Sequence, residues 1–121
     1  MTYVDGFVVP VKKKRLTVYR RMAKTAGKLW LGYGAIEFHE TVGDDVPFGK
    51  RTSFPRSVKL KRGEVVVFSW IVYRSRADRD RVMAKVMQDK RLTAMMTTKD
   101  APFDGKRMLV GGFKTLVSLA A

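Results

Sequence analysis

Between residues 3 and 9 the chain reads YVDGFVV, a β-branched and aromatic run that stops at Pro10, and this predicts a strand. The spacing then changes. From 13 to 33 the apolar residues Leu16, Tyr19, Met22, Ala23, Ala26, Leu29, Trp30 and Tyr33 trace one face of a helix. Gly32 and Gly34 mark its end, because glycine accepts the left-handed backbone on which helices commonly close. Residues 35–42, AIEFHETV, predict a second strand whose polarity suits a sheet edge or a functional face. Residues 64–73, EVVVFSWIVY, predict a third strand, apolar at nearly every position and expected to be buried on both faces.

Ser75 and Asp78 predict the N-cap and capping-box partner of a second helix, with Val82, Met83, Val86 and Met87 as its apolar stripe. A shorter helical piece is expected over 91–97, a polar loop over 98–106, a fourth strand over 107–113 and a short extension over 115–119. The order β-α-β-β-α-β is the split βαβ arrangement. It predicts an α+β, ferredoxin-like domain over 1–121, with a four-stranded antiparallel sheet and two helices on one face.

One segment fits no period. Residues 43–63, GDDVPFGKRTSFPRSVKLKRG, hold three glycines and two prolines, and structureless loops longer than ~12–15 residues are uncommon unless they bind or cap something. Phe48 and Phe54 are its expected apolar anchors, reaching over a partner or closing the mouth of the interior. The sheet face away from the helices needs a cover as well. Parity separates Tyr3, Asp5, Phe7 and Val9 from Val4, Gly6 and Val8, and Val66, Phe68, Trp70 and Val72 from Val65, Val67, Ser69 and Ile71. Small aliphatic sets suit packing under helices, so Phe7, Phe68 and Trp70 are expected together on the open face. A wide aromatic face is too apolar for water, and a second subunit, a ligand or nucleic-acid bases could cover it.

Four separated segments resemble the YbaA-like family, known as domain of unknown function 1428. They are YVDGFVVPV, GDDVPFGKRTSFPR, VVFSWIVYRSRADRD and PFDGKRMLVGGFKTLV, so the resemblance runs from Tyr3 to about Leu119. It implies a dimeric α+β barrel, in which two ferredoxin-like sheets pack face to face across a two-fold axis. It implies no activity and therefore no catalytic residues.

Charge changes the picture next. Lys and Arg number 25 against 11 acids, a net charge of +14. Residues 12–28 carry eight cations and no acid, and residues 50–62 carry six more. Such a field favours polyanions. Weak, nonspecific, salt-sensitive nucleic-acid binding is one expectation, carried by Arg20, Arg21 and Lys24 on the polar side of the first helix. Base stacking as in RNA-recognition motifs is not expected, because VVVFSWIVY lacks their basic-Gly-aromatic opening.

Candidate chemistry is sparse. Asp5, between Tyr3 and Phe7, is a candidate acid or base if desolvation raises its pKa, or else an ion-pair partner of Arg51 or Arg56 across a dimer interface. His39, the only histidine, is a candidate base oriented by Glu37 two residues away on the same side of its strand. No metal site is expected, since cysteine is absent and Glu37, His39, Glu40, Asp44 and Asp45 match no ligand spacing. No cofactor is expected either, for want of a Walker loop, G-x-G-x-x-G or G-x-S-x-G. Gly111-Gly112 within a strand predicts a bulge or a close backbone approach.

No apolar run approaches the ~20 residues of a membrane span, and the N-terminal lysines follow the apolar stretch, the reverse of a secretory signal. A cytoplasmic homodimer with no membrane partner is expected. The leading functional expectation is a small-molecule or enzymatic pocket between sheet and loop, lined by Tyr3, Asp5, Phe7, His39, Phe68 and Trp70. Arg51 or Arg56 would pair there with an acidic ligand. Nucleic-acid binding, or a purely structural or interaction dimer, are the alternatives.

Overall fold

The computed structural model describes residues 1–96 and 100–121. Strand β1 (Tyr3–Lys12) is followed by a 3-10 turn and helix α1 (Leu16–Tyr33), then β2 (Glu37–Val42), a short helix α2 (Phe54–Ser57) and β3 (Glu64–Tyr73). Helices α3 (Arg76–Gln88) and α4 (Lys90–Met96) precede a second 3-10 turn and β4 (Leu109–Lys114). The four strands form one antiparallel sheet in the order β2-β3-β1-β4, an α+β architecture with β2 on the predicted edge.

Several boundaries follow from local chemistry. Strand β3 spans its predicted residues. Helix α1 closes on Gly34, whose φ of 124° would strain a residue with a side chain. Ser75 caps α3 by accepting from the Asp78 amide, while the Asp78 carboxylate turns to Arg81. The helical piece expected over 91–97 is α4, and its expected last residue, Thr97, and the start of the loop at 98–99 lie outside the described residues.

Other boundaries move. Strand β1 does not stop at Pro10 but runs on to Lys12. The Pro10 carbonyl points away from β3, toward the Asp104 amide, so the missing N–H also falls on that side, beyond the last β1–β4 pair at Val8 and Leu109. Strand β4 begins after the 3-10 turn capped by Asp104. No strand continues over 115–119, where Leu116 is 92% exposed. The 43–63 segment is not structureless: Ser53 caps α2, and Val58 is fully buried.

Strand register overturns the expected composition of the open face. Phe7 lies opposite Ser69, and Asp5 opposite Ile71, whereas Gly6 faces Trp70 and Val8 faces Phe68. Directly paired residues share a face, so Tyr3, Asp5, Phe7 and Val9 join Val67, Ser69, Ile71 and Tyr73 beneath the helices. Phe7 packs against the main core cluster of Leu29, Trp30, Ile71, Tyr73, Val82 and Val86. Each strand's parity was legible locally; which parity meets which depends on register, and a one-residue slip exchanges the faces.

The open face is aromatic all the same. Trp70 stacks on His39 at 4.8 Å and lies 5.4 Å from Phe68, and Phe68 in turn lies 5.9 Å from Phe54 of α2. Phe113 of β4, opposite Val4, is 62% exposed. Strand β3 is therefore buried under the helices and half-exposed on its other side. Among the described residues no helix is long and apolar enough to cross a membrane.

Candidate functional site

The expected pocket of Asp5, His39 and Trp70 does not assemble: His39 and Trp70 meet on the open face, and the sheet separates both from Asp5. His39 lies on the open face, where its Nε2 meets Glu37 Oε1 at 2.9 Å, the predicted neighbour. Asp5 lies on the helix face and is 3% exposed. Its partner is neither Arg51 nor Arg56 but Arg79, whose Nη1 donates to Oδ1 at 2.7 Å. The Tyr73 hydroxyl donates to Oδ2 at 3.0 Å and itself accepts from Trp30 Nε1. Burial, then the charge of Asp5, raises the Tyr73 hydroxyl above its ordinary range, so it stays a donor. Arg79 also lies over the Tyr3 ring, and a Cβ on Gly112 would come within 2.8 Å of its Nη1. That is the close approach the paired glycines predicted. Both Asp5 oxygens are engaged within packed structure, as a structural ion-pair network requires.

Loop 43–63 frames a hollow of ≈ 250 Å³ on the open face, lined by residues of 41–46 with Phe54, Val66 and Phe68. Of the expected ligand residues only Phe68 reaches it. Arg51 is exposed, and Arg56 is turned onto its own loop, donating to the Phe48 and Gly49 carbonyls and lying 4.4 Å from the Phe48 ring centre. Phe48 and Phe54 are about half exposed.

The larger concavity is elsewhere. A groove of ≈ 650 Å³ runs between α1 and the sheet edge at β2, its floor made by Ala23, Gly27, Phe38, Val42 and Val67. Gly27 is needed there: a Cβ would stand 2.7 Å from Phe38 Cδ1. Behind the groove, between the sheet and helices α1 and α4, lies a smaller cavity of ≈ 150 Å³ bordered by Met22, Leu92 and Met95. Tyr19, Ala23, Phe38 and Glu40 border both spaces.

Glu40 is the polar centre of this region. It is accessible from the groove, on the edge strand β2 against which α1 packs, and its Oε1 accepts from the buried Tyr19 hydroxyl at 2.7 Å. Crowding by the surrounding walls raises the carboxyl above its ordinary pKa, and hydrogen bonds from Tyr19 and Ser69 oppose that shift only in part. Burial foremost, then Glu40, raises the Tyr19 hydroxyl and keeps it protonated. A carboxyl held toward its neutral form and oriented by a fixed phenol can give or take a proton.

Sequence reasoning passed over this pair as chemistry. The available signal was parity: Phe38, Glu40 and Val42 alternate on one side of β2, which places an acid between two apolar residues. Of the expected nucleic-acid contacts, Arg20 and Lys24 form part of the groove wall, and Arg21 is exposed outside it. Among the described residues no cluster of three or more His, Asp or Glu could hold a metal ion.

The family model described as "Protein of unknown function (DUF1428)" matches residues 2–105. The protein described as "Uncharacterized protein YbaA" from Escherichia coli strain K12 is 44% identical over 117 residues, covering 97% of this chain and 98% of that protein. The protein of the same description from Shigella flexneri matches equally. Among solved structures, the de novo designed protein Foldit4 superposes with a TM-score of 0.49 at 14% identity, over 95% of this chain and 99% of that one.

Proposed function

The chain belongs to the DUF1428 family, and from that premise we propose that it is a ferredoxin-like, dimeric α+β barrel protein that holds a small molecule in the groove between α1 and β2. The observation that carries this reading is the Tyr19–Glu40 hydrogen bond at the inner wall of that groove. The volume suits a small molecule, falling within the roughly 300–1,000 Å³ of ordinary ligand sites. The walls are apolar with a few polar groups, the composition that binds a body and orients it. Proton transfer is the chemistry the pair supports, with Glu40 in the acid–base role that the sequence offered to Asp5 and His39.

The dimer reading rests on the open face. Phe54, Phe68, Trp70 and Phe113 leave an aromatic surface that a second copy of the same sheet would cover. The groove lies on the opposite side and stays open in such a dimer.

The test has two arms. Carbon-detected titration of the glutamate carboxyls is expected to give Glu40 a midpoint above that of a free glutamate, and a still higher one in Tyr19→Phe, which loses a donor to the carboxylate. Mass spectrometry of small molecules that co-purify is expected to find one retained by the natural chain and lost from Val42→Trp, which fills the groove from an exposed edge position. An ordinary Glu40 midpoint together with identical small-molecule content would remove the site.

A second reading, nonspecific nucleic-acid association, draws on the eight cations of residues 12–28.

A further inference from the structure

We infer that the ligand of the α1–β2 groove is a small amphipathic anion, its carboxylate or phosphate head held by Arg20, Lys24 and Lys28 and its apolar body laid along the groove floor. The inference rests on the reading of the groove as a ligand site and names what that site selects.

The three cations recur at four-residue spacing, so they stand in one row along α1, rising about 6 Å per step. All three line the groove. None has an acidic partner among the described residues; on this part of the chain only Arg15 is paired, with Asp100. Surface cations over a polar helix face would be held by water alone. Here an uncompensated positive row borders an apolar floor, and a ligand matching both must be anionic at one end and apolar along the rest. Charged hydrogen bonds from Arg and Lys to carboxylate or phosphate are the strong ones, which gives the head its hold.

The single acid of the lining sets the orientation. Glu40 stands on β2 across from α1, on the wall shared with the inner cavity. Once ionised, it repels an anionic head, so the head stays on the cationic row. The apolar end then lies toward Phe38, Glu40 and the methionine-bordered cavity, whose flexible side chains adapt to chains of different shape.

The test uses the full chain, labelled with nitrogen-15 and titrated with decanoate, decyl phosphate, decanol and decyltrimethylammonium below their micelle concentrations. Decanoate or decyl phosphate is expected to shift α1 and β2 amides saturably, the stronger of the two identifying the head, with decanol at least tenfold weaker and the cation silent. The triple variant Arg20→Gln, Lys24→Gln, Lys28→Gln is expected to weaken the anion at least tenfold and leave decanol unchanged. Equal binding of decanol and both anions, or an unaltered triple variant, overturns the choice of anion while the groove itself stands. Silence from all four probes overturns the inference, as does a DNA duplex that shifts the same α1 amides while decanoate does not. The underlying site reading fails on different evidence, the ordinary Glu40 midpoint and the unchanged small-molecule content of Val42→Trp.

Discussion

The Arg79 guanidinium reaches from α3, over the glycine backbone of β4, to the buried carboxylate of Asp5 on β1, closing a 2.7 Å ion pair between residues 74 positions apart. The pair ties the second half of the chain to its first strand. Removing one partner of a buried pair leaves an uncompensated charge and costs about 3 kcal/mol or more. Arg79→Ala is therefore expected to lower stability by about that amount in denaturant unfolding. Gly112→Ala is expected to destabilise too, because its Cβ would meet the Tyr3 hydroxyl at 2.5 Å. Wild-type midpoints for both variants would show the network to be dispensable.

Glu40 predicts a pH-dependent stability of definite sign. Its folded pKa is raised, so the folded state favours the protonated carboxyl. That preference is fully present below the unfolded value of about 4.3 and is lost as pH rises through the raised folded value. Glu40→Gln removes the ionisation and keeps an oxygen for Tyr19 to donate to. Its melting temperature is expected to exceed that of the natural chain at pH 7 and to approach it at pH 4. A constant difference across that range in thermal scans would count against an elevated Glu40.

The open face predicts the assembly. Trp70→Glu places a charge in the middle of the His39–Trp70–Phe68–Phe54 stack. Sedimentation is expected to give a dimer for the natural chain and a folded monomer for this variant. Phe54→Ala, which takes the contribution of α2 from the same face, is expected to weaken the dimer less. A natural chain that sediments as a monomer at micromolar concentration contradicts the proposal.

Charge predicts the behaviour toward nucleic acid. With a net of +14, the chain is expected to bind RNA and DNA weakly at low salt and to lose both by about 200 mM salt, since released counterions supply the affinity. Reversing Arg20, Arg21 and Lys24 to glutamate is expected to abolish retention without changing the dimer. A complex with one RNA that survives salt and weakens on truncation of Trp70 would indicate specific recognition through the aromatic face instead.

Much of the fold was written locally. The stripe from Leu16 to Tyr33, the apolar run of β3, the Ser75 cap and the glycine closure of α1 each depend on neighbours a few residues away, and each appears where the pattern predicts. The edge position of β2 and the aromatic character of the open face were legible for the same reason. What tertiary structure alone decided is which faces meet. Phe7 and Trp70 sit on strands whose parities are both apolar, so composition could not choose between them; the β1–β3 register did, and it carried Asp5 beneath the helices, away from His39. Arg79 and Tyr73 found Asp5, Trp30 found Tyr73, and Tyr19 found Glu40, across separations of 21 to 74 residues. Spacing encodes the face a side chain takes within its own element, but only packing brings two elements together.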